Sequence, residues 1–242
     1  MAHQQQLDFI KNFSDLIYEE KKGTIFDILE IGSYEVNGSL RKYFLNSNYL
    51  GIDLIEGPGV DKVLDGSEIQ SLNKKFDIII SSECFEHAHN WKEIFNAMIN
   101  SIKDEGYVLM TCASKGRAEH GTNRSDFFDS AIHKYEVNSS PGTNDEYYKN
   151  LSKKDFFKNF KINDIFENYF FFYNIHSFDL YFIGQKKKVM ESLLLEKLEN
   201  RIKELNKTFP SFQSVKRFLL HSLLPEKICN DLHFKNLRRK LK

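Results

Sequence analysis

Three acidic side chains stand where short apolar runs end: Glu30 in Leu29-Glu30-Ile31-Gly32-Ser33, Asp53 in Gly51-Ile52-Asp53-Leu54, and Asp65 in Val63-Leu64-Asp65-Gly66. An acid about 20 residues beyond a strand-ending glycine turn can accept both hydroxyls of a ribose. An acid after a third strand can accept the exocyclic amine of an adenine. Taken singly, each is as well read as a solvated strand end; three in register describe an adenosine pocket. Glu30 adds a sign to the chemistry. The turn at Gly32 and Ser33 offers backbone N–H groups to a ligand, but an acid beside it suits a cationic ligand and repels a pyrophosphate.

Histidines supply the second group of candidates. His87 lies four residues after Glu83 and can serve as a base, as half of a Glu–His metal pair, or as a residue that packs the following helix. His120, in Ala118-Glu119-His120-Gly121-Thr122, falls on a polar segment where an acceptor should arrive, and an imidazole of pKa about 6.5 is a competent base near neutrality. His120 is therefore preferred slightly over His87 as the catalytic base. Arg117 and Arg124 flank it, and guanidinium suits bidentate contact with phosphate, so a phosphorylated or nucleotide-linked acceptor is expected. Either arginine alone reads equally as a solvated loop residue.

The elements that must carry these residues follow from periodicity. Leu7, Ile10, Phe13, Leu16 and Ile17 recur at helical spacing. Strands are predicted at Ile25–Ile31, Tyr49–Leu54, Val60–Leu64, Phe76–Ser82 and Tyr107–Ala113, with a helix from Ser39 to about Phe44, one from Trp91 to Ile102, and a turn at Lys103–Gly106. A helix opens at Ser152 with Asp155 three positions on, and two strands follow, Ile165–Ile175 and Leu180–Gln185. This alternation predicts an α/β fold: a Rossmann-like, doubly wound, mostly parallel seven-stranded sheet. Residues 114–150 read as a substrate lid or small insertion. Beyond Val189 a leucine stripe to Leu205, a break at Pro210 and a second stretch from Val215 to Leu224 predict a helical extension. The division is thus a domain over 1–188 and a basic extension over 189–242.

In order and spacing, the motifs Leu29–Ser33, Gly51–Leu54, Val63–Gly66, Phe76–Glu83 and Glu86-His87 resemble those of class I S-adenosylmethionine-dependent methyltransferases. The resemblance is to the type 11 group, and within it to members found with surface-polysaccharide biosynthesis. It runs from about residue 24 to 114 and more loosely to 186. It implies S-adenosyl-L-methionine as cofactor, with Glu30, Gly32 and Ser33 at its methionine part, Asp53 and Leu54 at the ribose, Asp65 and Gly66 at the adenine, and Ser82 and Glu83 beside the methyl donor. It also implies an acceptor lid around Tyr147-Tyr148-Lys149-Asn150-Leu151, with Tyr148 at the substrate. One departure is plain: Tyr34 and Val36 stand where the family has its second and third glycines. A nicotinamide-dependent oxidoreductase would need Gly-x-Gly-x-x-Gly, which is missing, and would leave Asp65 without a role. A cofactor-binding, non-catalytic scaffold for glycan assembly is the other alternative.

Bulk properties add bounds. Lys plus Arg equals Asp plus Glu at 34 each, but residues 186–242 carry net +9 and the first 185 net −9. The basic residues gather away from the expected site, which argues against a nucleic-acid partner. The tail instead suggests a peripheral membrane or protein contact or, equally, packing back on the acidic body. Cys84, Cys112 and Cys229 have no zinc or disulfide spacing, and nothing in the sequence requires a metal. No secretory signal or spanning segment is visible, so the expected location is cytoplasmic, with the tail able to reach the inner face of the membrane. The expected reaction is O-methylation of a small sugar-like or phosphoryl-bearing acceptor.

Overall fold

The computed structural model describes residues 4–36, 38–125, 146–186, 193–205 and 210–240. Helix α1 (Gln4–Glu20) turns Phe9, Ile10, Phe13 and Ile17 inward. Strands β1 (Phe26–Ile31), β2 (Ser47–Asp53), β3 (Lys62–Val63) and β4 (Phe76–Ser82) follow, then helix α2 (Trp91–Ser101) and strand β5 (Ile102–Ala113). After β5 and the segment to residue 152 come α3 (Lys153–Asn159), the single turn α4 (Ile162–Ile165), and strands β6 (Phe166–Asn174) and β7 (Asp179–Lys186). Three helices end the chain: α5 (Leu193–Leu205), α6 (Phe212–Leu223) and α7 (Glu226–Lys240).

The seven strands form one sheet in the order β3-β2-β1-β4-β5-β7-β6. Neighbours among β1 to β5 pair parallel, and β7 runs antiparallel between β5 and β6. Strand order reverses between β1 and β4, so a crevice opens there at the carboxyl ends, where such sheets bind ligands. Each face is covered by its own apolar layer. On one, α1 packs Phe9, Phe13 and Ile17 with Leu198 and Ile202 of α5 against Ile28, Ile78 and Leu109. On the other, Trp91, Phe95 and Met98 of α2 and Phe156 of α3 meet Leu29, Ile79, Val108 and Phe182. Both faces are therefore buried, which explains why the central strands read as near-continuous apolar runs.

Four expectations are corrected. The helix after the Gly32 turn is a single 3-10 turn, Arg41–Tyr43, because Leu40 and Phe44 are both buried and the chain re-enters β2 only three residues later. The expected turn at Lys103–Gly106 lies inside β5: the β4–β5 register shifts between Phe76 and Ile78, and Glu105 takes φ +64° to absorb the surplus residues as a bulge. Strand β3 is cut to two residues. Helix α7 was not foreseen. The capping box expected at Ser152 and Asp155 forms, with Ser152 N–H donating to Asp155 Oδ2 at 2.9 Å.

Candidate functional site

At the β1–β4 crevice the turn is set by close approach. Gly32 has φ +80°, and a Cβ there would lie 3.0 Å from that of Cys84. Its N–H and that of Ser33 both donate to the Ile52 carbonyl at 3.0 Å, tying the turn to the end of β2. Tyr34, which replaces a family glycine, lies over Gly57, where any side chain would collide with its ring. The Gly57-Pro58-Gly59 turn thus makes room for the departure. A Cβ on Gly66 would meet Ile31 Cγ2 at 2.6 Å, so that glycine keeps the far wall thin.

These elements enclose a cavity of about 300 Å³. It is lined by all nine residues expected at the cofactor, Glu30, Gly32, Ser33, Asp53, Leu54, Asp65, Gly66, Ser82 and Glu83, and by both candidate bases, His87 and His120. The Asp53 carboxylate is oriented by the backbone N–H groups of Leu54 (2.7 Å) and Tyr34 (3.1 Å). Asp65 also caps the 3-10 helix Gly66–Leu72, accepting from Ser67 N at 2.7 Å and from Asn90 Nδ2. Glu30 is buried; its Oε2 accepts from the Tyr49 hydroxyl at 2.6 Å, and burial pushes its carboxyl up to about 7 against that bond. Ser33 Oγ is buried and without a hydrogen-bond partner.

A different cluster occupies the acceptor end. Glu83 takes φ +54°, a strained value for a non-glycine residue, as β4 ends. Its Oε2 lies 3.0 Å from His120 Nε2, and Gln6 of α1 donates to its Oε1. Burial would raise the Glu83 carboxyl, yet neighbouring positive charge, with the His120 hydrogen bond and Arg117 contributing, holds it well below the usual range. Glu86, fully buried, accepts from the Ala113 N–H at 2.9 Å; burial and the Glu83 charge push it well above that range. His120 Nδ1 is 3.1 Å from the Ala118 carbonyl and 3.0 Å from the Tyr148 hydroxyl. The His87 ring stands edge-on to His120, with centroids 5.4 Å apart, and burial pulls its pKa down to about 3. Burial also raises the Cys84 thiol to about 12, so it is no nucleophile at neutral pH.

Tyr148 is thus beside His120. The two arginines are engaged elsewhere. Arg124 pairs with Glu119 at 2.6 Å; Arg117 donates to the Ser177 carbonyl at 3.1 Å and lies 4.0 Å from Asp179. Residues 126–145, most of the expected lid, and Asn37 lie outside the described residues. Sequence reasoning passed over the supports of this end: Glu86, Gln6, and two residues of α7, Glu226 and Asn230. Glu226 accepts from Asn150 N–H at 2.9 Å, and Asn230 donates to Glu119 at 3.2 Å. Only Glu86, next to His87, carried a visible signal.

A family model described as a methyltransferase domain matches residues 1–138. No curated protein sequence matches the chain. Among solved structures it is similar to the CurJ carbon methyltransferase, with 13% identity and TM-score 0.51, covering 77% of this chain and 56% of that one. It is also similar to the N-terminal domain of EvdMO1, solved with SAH and D-fucose, with 13% identity and TM-score 0.51 over 77% and 85% of the two chains. The plantazolicin methyltransferase BpumL, in complex with a pentazolic desmethylPZN analog and SAH, gives 15% identity and TM-score 0.50 over 76% and 85%. At these identities the likeness is one of fold.

Proposed function

The chain belongs to the methyltransferase-domain family, and from that premise we propose that its crevice binds S-adenosylmethionine and that the chain O-methylates a small, sugar-like or phosphoryl-bearing acceptor. S-adenosylmethionine is the methyl donor of this family; when bound it supplies an electrophilic methyl carbon on a positively charged sulfur. The residues present fit it. A cavity of about 300 Å³ with an orphaned buried hydroxyl at Ser33, and a buried carboxyl at Glu30 with no Lys or Arg ion pair among the described residues, suits a ligand that is both polar and cationic. The observation that carries the reading is the Asp53 carboxylate, held by two backbone N–H groups at the end of β2 and facing that cavity.

In this reading Asp53 accepts the ribose hydroxyls, Asp65 with Gly66 borders the adenine, and Glu30 with the Gly32–Ser33 turn takes the methionine end. Ser82 and Glu83 border the reacting carbon. Alignment in a water-poor crevice supplies most of the rate for such an in-line displacement. Without a bound metal, the acceptor's proton would pass to the Glu83–His120 pair, with His87 as its neutral neighbour and Tyr148 fixing the His120 ring. Arg117 and Arg124 would reach a phosphoryl group only by exchanging their present partners. The surface-glycan setting rests on the resemblance of the sequence motifs. Exposed Leu219, Leu223 and Leu224 beside Lys216 support a peripheral contact of the basic segment with a membrane face or a protein. No helix among the described residues is long and apolar enough to cross a membrane.

The test is calorimetric titration with S-adenosylmethionine and S-adenosylhomocysteine. Wild type should bind both, and Asp53→Ala should bind about 10- to 100-fold more weakly, the worth of hydrogen bonds to a charged group. A folded wild type that binds neither, or binds nicotinamide dinucleotides instead, would sink the reading. Binding without turnover across a panel of nucleotide-linked and phosphorylated sugars would favour the non-catalytic scaffold.

A further inference from the structure

We propose that Glu86, His87 and His120 form a site for a divalent first-row transition-metal ion at the acceptor end of the crevice, with Glu83 as a fourth ligand. The geometry is largely assembled. One ligand atom from each of the three residues lies within 4.8 Å of the other two. Ligands about 2.1 Å from a common ion stand roughly 3 to 4 Å apart, so a small contraction closes the site.

Two orphaned atoms point the same way. Glu86 is fully buried; its Oε1 accepts from Ala113, but its Oε2 has no hydrogen-bond partner. His87 Nδ1 is also buried without one. A buried carboxylate oxygen and a buried ring nitrogen left unpaired are costly, and each asks for a ligand.

His120 supplies the third argument. If its Nδ1 carries the proton and donates to the Ala118 carbonyl at 3.1 Å, its Nε2 is a bare lone pair. That lone pair then faces Glu83 Oε2 at 3.0 Å and Glu86 Oε1 at 3.9 Å, three electron-rich atoms converging on one point. A cation bound between them would relieve their mutual repulsion. A histidine whose far nitrogen is fixed by a backbone carbonyl is oriented as metal-ligating histidines are. Two imidazoles with carboxylate oxygens favour manganese, iron or zinc over calcium, which takes oxygen ligands alone. Two carboxylates also balance the dication's charge.

Glu83, His87 and His120 line the cavity, so the ion borders the space for the acceptor. It can hold an acceptor hydroxyl and lower its pKa, the proton passing to solvent water. The oxygen then attacks the methyl carbon, the carbon–sulfur bond breaks and sulfur keeps the pair. His120 acts as a ligand in this arrangement, not as the base. That use rests on the methyltransferase reading; the site itself does not.

The experiment takes the full chain stripped with a chelator and titrates it with Mn²⁺, followed by loss of the free-ion electron paramagnetic signal, and with Zn²⁺ by calorimetry. One ion per chain is expected, weakened tenfold or more in Glu86→Gln and in His120→Gln. Affinity for S-adenosylhomocysteine should change less than twofold in both variants, which also reports that they fold. In case neither variant folds, electron spin-echo spectra of Mn²⁺-loaded wild type should show coupling to imidazole nitrogen. No stoichiometric binding by wild type, binding that both folded variants retain, or bound Mn²⁺ without nitrogen coupling would overturn the site. A protein that binds the ion but no S-adenosylhomocysteine would keep it and discard the methyltransferase reading.

Discussion

Strand β1 carries two acids three residues apart, and they live in opposite worlds. Asp27, at its amino end, is partly exposed and surrounded by donors: Lys74 at 2.8 Å, Lys103 at 3.0 Å and Asn48 at 3.1 Å. The Lys74 hydrogen bond leads the causes that lower its carboxyl to about 2. Glu30, at the carboxyl end, is buried, with Tyr49 as its hydrogen-bond donor, and burial lifts it to about 7. One end of the sheet satisfies its charges internally. The other leaves charge under-partnered, as do Glu86 and Asp179, the latter also raised to about 7 by burial. Of these, Glu30 lines the crevice, and a carboxyl raised by burial in a crevice is a candidate for completion by a bound group.

The largest expected effect is at Glu30. Its folded-state pKa lies above its unfolded value, so the carboxyl is neutral in both states below pH 4.5 and subtracts stability progressively until about pH 7. Glu30→Gln should therefore be more stable than wild type by about 3 kcal/mol at pH 8 and unchanged at pH 4. It should also lose affinity for S-adenosylmethionine. Wild-type affinity should fall up to about tenfold between pH 7 and 6, and that dependence should vanish in the variant. Urea melts and calorimetry at three pH values check both; a variant no more stable than wild type at pH 8 would remove the contrast.

How far the sequence foretold this depends on range. Glu30, Asp53 and Asp65 were legible because each ends an apolar run, and a strand end in a parallel sheet has one address. Their local partners were not all legible: Asp65 turned out to cap the helix it precedes as well. Glu86 was visible as part of the Glu86-His87 motif, but its role was not, because its depth is set by Ala113, on another strand, and its neighbour His120 arrives from a loop 34 positions on. The present partners of Arg117 were hidden for the same reason, since Ser177 and Asp179 reach it only in the folded chain, whereas Glu119 stands five positions from Arg124. Helix α7 had no stripe to announce it; among its described side chains Cys229 and Asn230 are buried, and it is held to the loop by polar bonds at Glu226 and Asn230.

At the amino end the sign reverses. Asp27 has its pKa lowered on folding, so it adds stability above its unfolded value near 3.8, and that stability is lost as pH falls toward about 2. Its lysine partners are more than a third exposed, so solvent screening cuts the contribution to about 1 kcal/mol. Asp27→Asn should cost that much at pH 7 and only a small part of it at pH 2, read by urea denaturation. Equal loss at both would mean that packing, not charge, is responsible.

The smallest effect separates the two ends by their exposure to ions. At 1 M salt the screening length is about 3 Å against about 10 Å at 0.1 M. The Asp27–Lys74–Lys103 cluster is open to that atmosphere, so the cost of Asp27→Asn should shrink by about 0.5 kcal/mol in 1 M NaCl. Glu30 is sealed from it, and its penalty is desolvation rather than a pair that salt can screen. The gain in Glu30→Gln should therefore hold constant across the same salt range, with urea as denaturant so that ionic strength stays fixed in each melt. If both differences shrank together, Glu30 would be reached by solvent, and a crevice open enough for that could not hold a carboxyl near 7 by burial.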